Sequence, residues 1–265
     1  MGSRNAYAVV TGASSGIGAE FAKRLAKEGF DLILVARRKA RLHALGEQIA
    51  KERCGQVTYH IIEADLSDMD ECEALCKKIA DKKIAVFINN AGFGDCGYFL
   101  DGDMKKQLNM IDVNIKAVHY LTKCMLHKMQ VQGGGYILNV GSSAGLMPAG
   151  PYMATYYATK AYVTSMTRAI AEELRERNSR IYIGCLCPGP VNTEFNDVAN
   201  VEFALAGISA EYCANYAIDQ MMKRKIVIVP TFTMKAAMTF GRFLPQDVYI
   251  RIAAHQQKKK FSVKK

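Results

Sequence analysis

Apolar runs of strand length recur along this chain, each separated from the next by a stretch with helical periodicity. "YAVVTG", "DLILVA", "VTYHIIEA", "IAVFINNAG", "YILNVG", "IYIGCLCPG" and a short "IVIVP" are largely continuous rather than alternating. A strand with one wet face alternates polar and apolar residues; a strand covered on both faces does not. The intervening stretches include "GIGAEFAKRLAKEG", where Phe21, Leu25 and Ala26 recur at helical spacing and Gly29 suits the stop. Helices are also predicted at about 38–53, from Met69 to Ala80, at 103–130 and at 154–177. Strand–helix–strand repetition gives an α/β fold with a doubly wound parallel sheet. No linker rich in Pro, Gly or Ser divides the 265 residues, so one domain is expected over 1–257, followed by a basic tail over 258–265.

The turn after the first strand reads "TGASSGIG", Thr11 to Gly18. A glycine trio between a first strand and a first helix is the place for a dinucleotide fingerprint, and marks the sheet as Rossmann-like. Gly12 permits the tight turn, Gly16 lets the backbone approach a pyrophosphate, and Gly18 lets helix and strand pack closely. The helix N-terminus offers unpaired N–H groups and positive dipole to phosphates. Ser14 and Ser15 add hydroxyl donors. The second strand ends "VARR", with Arg37 and Arg38 and no carboxylate. A carboxylate there would bond the 2′-hydroxyl of NAD, whereas guanidiniums bind a 2′-phosphate, so NADP(H) is expected. Asp65 and Leu66, Asn89 to Gly92, and Pro188 to Thr193 fall at the C-terminal ends of other strands, where ligands bind in such sheets.

"TYYATKAY" places Tyr156 four residues and Tyr157 three residues before Lys160. The helical stripe from Tyr156 continues through Lys160, Val163, Thr167, Ile170 and Leu174 and is mostly apolar. The stripe from Tyr157 runs through Ala161, Thr164, Arg168 and Arg175 and looks polar or subunit-facing. Tyr156 is therefore the expected acid–base group. A phenol titrates at about 10, and a neighbouring ammonium is expected to lower that value toward neutrality. "NVGSSAG" offers Ser142 and Ser143 as a second hydroxyl for a substrate oxygen.

"TGASSGIG", "NNAG", "NVGSSAG", "YYATK" and "PGPVNT" stand in the order of the short-chain dehydrogenase/reductase family, and the resemblance covers nearly the whole chain. It implies a catalytic set of Asn114, Ser143, Tyr156 and Lys160. Ser143 is chosen because the family's serine lies thirteen residues before the tyrosine; Ser142 is the minor choice. Asn114 would help hold a water beneath Lys160, which would also bond the nicotinamide ribose. Cofactor contacts are expected from Ile17, Asp65, Leu66, Asn90, Val191 and Thr193 as well. The resemblance further implies a homodimer or homotetramer through the helices at 103–130 and 154–177. "LVARRKARLHAL" and the segment around "YYATKAYV" look like the branch of hydroxysteroid dehydrogenases and 3-ketoacyl reductases.

Residues 192–225 and the C-terminal segment should shape the substrate pocket. Phe195, Phe203, Met221, Met222, Phe232, Met234, Met238, Phe240 and Phe243 suit a hydrophobic ketone or alcohol. A hydroxysteroid or bile acid is expected first, and an acyl-chain or other small ketone is the alternative. A non-catalytic NADP-binding scaffold is the reading from another class; an intact Ser–Tyr–Lys–Asn set argues against it. The eight cysteines form no CxxC pair, so reduced thiols and no metal are expected. The net charge of +10 owes five units to Lys258, Lys259, Lys260, Lys264 and Lys265. Such a surface can attract phosphates, acidic substrates or anionic lipid, but no nucleic-acid-binding motif accompanies it. No signal peptide and no membrane-spanning run is read from the sequence, which points to a cytoplasmic protein.

Overall fold

The computed structural model describes residues 6–195, 199, 207–241 and 243–261; the pocket expectation for Phe203 and the lysines at 264 and 265 lie outside the described residues. Seven strands form one sheet: β1 (Tyr7–Thr11), β2 (Asp31–Ala36), β3 (Tyr59–Glu63), β4 (Ile84–Asn89), β5 (Gly135–Val140), β6 (Ile181–Leu186) and β9 (Val227–Ile228). Their order is β3-β2-β1-β4-β5-β6-β9, and every pair is parallel. A second, two-stranded pairing joins β7 (Val191–Asn192) to β8 (Ile208–Ser209).

Continuous apolar strands are covered on both faces, as the sequence requires. β6 is buried at every residue and β1 at all but its first, whereas the edge strand β3 exposes His60 and Glu63. One face packs on α1 (Gly16–Lys27), α2 (Lys39–Glu52) and α7 (Ala210–Met222) through Phe21, Leu25, Leu42, Ile49 and Met221. The other packs on α3 (Met69–Lys78), α5 (Val118–Gln132) and α6 (Ala154–Glu176) through Leu75, Leu121, Met125 and Ala171. Two further helices, α8 (Phe232–Gly241) and α9 (Gln246–Phe261), close the chain.

The order of the strands reverses between β1 and β4, and this opens a crevice at their C-terminal ends. Asn90 pins the crevice: its Nδ2 donates to the Thr11 and Gly12 carbonyls at 2.9 and 3.2 Å. A buried polar network sits beneath the neighbouring strands. Asn89 donates to Asn139 (2.9 Å) and to Thr122 (3.0 Å), and Asn139 donates to Thr167 (2.9 Å). These bonds tie β4, β5, α5 and α6 into one register, because a slip would orphan buried amides.

Two expected elements differ. The single helix at 103–130 is α4 (Met104–Ile111), a π-helical turn (Asp112–Ala117) and then α5. The tail expected from 258 does not begin there, because α9 continues through Phe261 and Lys258 to Lys260 lie on the helix.

Candidate active site

The crevice leads into a cavity of about 760 Å³ that joins the β1–α1 turn to the N-terminal end of α6. Gly12, Ser14, Ser15, Gly16 and Ile17 line one end, together with Arg37, Arg38, Asp65, Leu66 and Asn90. Val191 and Thr193 border the same space, as do Ser142, Ser143, Tyr156 and Lys160. Of the expected site residues, Gly18 and Asn114 stand behind the wall rather than on it.

Gly12 has φ +64, and a Cβ there would come 2.9 Å from the Ala91 Cα. A Cβ on Gly18 would collide with the Gly12 carbonyl oxygen, so its role is the close packing of helix on turn. Ser15 caps α1 without spending its side chain on the helix, and the first turn holds no acid. The N–H groups at that end are therefore available to an anion, and the dipole favours one. Together with the close backbone approach at Gly12, this cradle fits the pyrophosphate of a nicotinamide dinucleotide.

Arg38 donates to Ser14 Oγ (3.0 and 3.1 Å) and Ser15 Oγ (2.7 Å), and pairs with Glu194 at 2.9 Å. Arg41, which the sequence reading missed, pairs with the same carboxylate at 2.6 Å. Its spacing of three from Arg38, at the start of the helix predicted over 38–53, was the signal that could have found it. Arg37 is more exposed and lies 3.7 Å from Asp65. The two guanidiniums hold the Glu194 carboxyl below its usual range, and backbone and side-chain bonds from Ser67 and the Arg37 charge lower that of Asp65 against the effect of burial.

Tyr156 and Lys160 share one face at the start of α6, and both are buried. The Lys160 Nζ donates to the Val140 carbonyl at 2.9 Å and lies 5.9 Å from the centre of the Tyr156 ring. Asn114 is fully buried in the π-helical turn, and its Nδ2 donates to the Phe93 carbonyl (2.9 Å) and Thr159 Oγ1 (3.1 Å). Its Oδ1 accepts from the Phe93 N–H at 3.1 Å. A Cβ added to Gly92 would meet both that oxygen (2.9 Å) and Lys160 Nζ (3.3 Å), so Asn114 and Lys160 converge on one glycine. The extra residue in a π turn is what carries Asn114 inward.

The two candidate serines separate clearly. The Ser142 hydroxyl accepts from the Ala144 N–H at 3.1 Å and acts on the Tyr156 phenol against the effect of burial. Ser143 opens a short 3₁₀ turn, and its N–H donates to the Pro188 carbonyl at 2.8 Å. The count of thirteen residues singles out Ser143; both serines border the cavity, and Ser142 is the one that acts on the phenol.

Tyr157 departs from its expectation as well. It is buried rather than polar-facing, lines the cavity, and accepts a 2.5 Å hydrogen bond from Gln257 of α9. Thr164 on its stripe is also buried. Nothing in the local sequence signals Gln257, which lies a hundred residues away.

The expected lowering of the phenol does not occur in this arrangement. Burial pushes Tyr156 up to about 12, with the Ser142 bond opposing that rise. Burial also pulls Lys160 down to about 8. The low dielectric around both groups disfavours their charged forms, so a neutral phenol stands beside an amine that is cationic below about pH 8. Such a phenol is a proton donor throughout the neutral range.

Of the apolar residues expected in the pocket, Phe195, Met234 and Met238 line the cavity. Met221 is in the core, Met222 packs against it, and Phe232, Phe240 and Phe243 are exposed. The described cysteines are free thiols, and no cluster of potential metal ligands occurs among the described residues.

Residues 6–202 match the family model described as short chain dehydrogenase. A very-long-chain 3-oxoacyl-CoA reductase of Laccaria bicolor is 36% identical over 177 residues, which are 66% of this chain and 52% of that one. The chain thus spans about half the length of the curated relatives of that kind that it matches. A short-chain dehydrogenase from Sphingobium yanoikuyae, solved in complex with NADPH, superposes with a TM-score of 0.79 at 29% identity, over 91% of this chain and 97% of that one. A 7beta-hydroxysteroid dehydrogenase superposes with a TM-score of 0.82 over 94% of this chain and 96% of that one, but at 21% identity it speaks for the fold alone. With its glycine cradle, its Tyr156–Lys160 pair and this match, the chain belongs to the short-chain dehydrogenase family, whose sheet binds a nicotinamide dinucleotide for oxidoreductase chemistry.

Proposed function

We propose that the protein is an NADP(H)-dependent reductase of the 3-oxo group on an acyl chain carried as a thioester. The observation that carries this reading is the repeated likeness, at 31–37% identity, to very-long-chain 3-oxoacyl-CoA reductases. It moves the acyl-chain alternative ahead of the hydroxysteroid expected from the sequence. The cavity walls contributed by Phe195, Met234 and Met238 suit an alkyl chain. Arg38, with Arg37 and Arg41 beside it, supports the 2′-phosphate and hence NADP(H) over NAD(H).

The cofactor supplies a hydride when bound. The protein's part is to hold the ketone oxygen and protonate it. Ser142 takes the positioning role in this reading, because its hydroxyl already meets the Tyr156 phenol. Tyr156 gives its proton to the oxygen as the carbon is reduced, and the Lys160 cation faces the charge left behind. Asn114 fixes the backbone at Phe93 and borders Lys160 across Gly92. Val191 and Thr193 complete the cofactor wall. Exposed Met104 and Leu108 on α4 and Tyr162 on α6 support a homodimer or homotetramer through these helices.

The test follows loss of reduced nicotinamide absorbance while 3-oxoacyl thioesters of increasing chain length are offered, with steroid and bile-acid ketones as the second set. Faster turnover of the thioesters is expected. Turnover of steroid ketones alone would return the reading to the hydroxysteroid class. NADPH binding with no turnover in either set would favour the scaffold.

A further inference from the structure

The last two helices are built with three different faces. On α9, Tyr249, Ala253 and Gln257 lie at successive helical turns and line the cavity. About a third of a turn away, Val248 and Ile252 form an exposed apolar stripe. Beyond that, Arg251, His255 and Lys258 form an exposed basic stripe. The preceding segment repeats the pattern. Met234 and Met238 of α8 face the cavity, while Phe232 and Phe240 are 84% and 71% exposed, with Lys235 exposed beside them. Phe243, between the helices, is 82% exposed. Ile252 belongs to both surfaces: it lines the cavity and is 46% exposed.

From residue 232 to the end, the sequence holds eight Lys or Arg against one acid, Asp247, which accounts for seven of the ten net positive charges. Exposed phenylalanines flanked by lysine and arginine have the composition of a surface that lies in a bilayer interface rather than across it. No helix among the described residues is long and apolar enough to cross a membrane. A second copy of the chain is a poorer occupant, because joining two such faces would set like charges against each other.

We propose that the outer face of α8 and α9 docks on an anionic lipid bilayer, with the rim of the substrate cavity at Ile252 turned to the lipid. A long-chain substrate would then pass from the membrane into the cavity without crossing water. The docking does not depend on which ketone is reduced, so its test stands apart from the substrate screen.

The experiment is co-sedimentation of the full chain with vesicles of phosphatidylcholine and phosphatidylglycerol, or of phosphatidylcholine alone, at low and high salt. Binding to the anionic vesicles is expected to exceed binding to neutral ones by more than about tenfold, and to fall steeply with salt. The double substitution Phe240→Asp with Phe243→Asp removes no buried contact. It should cut vesicle binding by more than about tenfold while leaving NADPH binding and turnover of a short, water-soluble ketone in place. The chain has no tryptophan, so Phe240→Trp gives a second readout: its emission should shift to the blue on anionic vesicles only. No binding, equal binding to neutral and anionic vesicles, or an unshifted tryptophan would overturn the proposal. So would a double variant that still binds vesicles but changes from oligomer to monomer, which would assign the face to a second copy.

Discussion

The Lys160 amine lies 5.9 Å from the centre of the Tyr156 ring and gives its hydrogen bond to the Val140 carbonyl, so it faces the phenol without neutralising the cost of burying it. The phenol is pushed up to about 12 and the amine down to about 8, both by burial. Below about pH 8 the site therefore holds its working form for reduction: phenol protonated, amine charged. Above that pH the amine loses its proton while the phenol keeps its own. The ratio kcat/KM for NADPH, which reads the free enzyme, should be level below about pH 8 and fall above it. Lys160→Met should be slow at every pH and lack that limb. A limb near 10.4, the ordinary lysine value, would contradict the described burial.

Ser142 and Ser143 divide the next prediction. Ser142→Ala removes the hydroxyl that meets the Tyr156 phenol and should lower kcat by about 100-fold or more, the scale of losing one donor to a developing oxyanion. Ser143→Ala leaves its backbone bond to Pro188 intact and should change kcat by less than about fivefold. Steady-state kinetics of the two variants on one ketone decide the matter.

Glu194 occupies Arg38 and Arg41, and a 2′-phosphate would compete for the same guanidiniums. Arg38→Ala should weaken NADPH binding by about tenfold or more, a charge-assisted pair being worth about 1.5–3 kcal/mol. NADH binding should barely change. Glu194→Gln should act in the opposite direction and tighten NADPH. Fluorescence titration of both cofactors reads all three effects; equal losses for NADPH and NADH would mean that Arg38 does not face the phosphate.

Gly18 has no room for a methyl group, because its Cβ would meet the Gly12 carbonyl and the Asn90 amide. Gly18→Ala should cost about 1–3 kcal/mol, the usual range for overpacking, in denaturant unfolding, and it should weaken NADPH binding with it. Gly29→Ala meets nothing within 4 Å at the new Cβ but forces φ +84 on alanine. It should be destabilised through the backbone alone and leave cofactor affinity unchanged.

The parallel sheet was legible because its strands are continuous apolar runs, which only a sheet covered on both faces requires. The cradle was legible for a similar reason: glycines at Gly12, Gly16 and Gly18 answer to steric demands that sequence alone expresses. The π turn at Asp112–Ala117 was not, since one extra residue per turn leaves the apolar pattern of 103–130 almost unchanged. The choice between Ser142 and Ser143 was not legible, because a count of residues does not contain the path of the turn that carries them. The pKa of Tyr156 was misjudged because the sequence names the charged neighbour but not the burial, and burial is the larger effect. Phe232, Phe240 and Phe243 were read as pocket residues, because apolar composition cannot tell an inward face from an outward one when the helix boundaries are unknown.

Turnover of a 3-oxoacyl thioester by Tyr156→Phe and Tyr157→Phe, with NADPH affinity measured on the same samples, tests the account most directly. Tyr156→Phe should lose about 1000-fold or more in kcat, within the range for a positioned acid, with NADPH affinity little changed. Tyr157→Phe, which gives up the bond from Gln257 and a weak one to the Met147 sulfur, should lose less than about tenfold. Turnover that survives in Tyr156→Phe and vanishes in Tyr157→Phe would show that the proton comes from the other phenol.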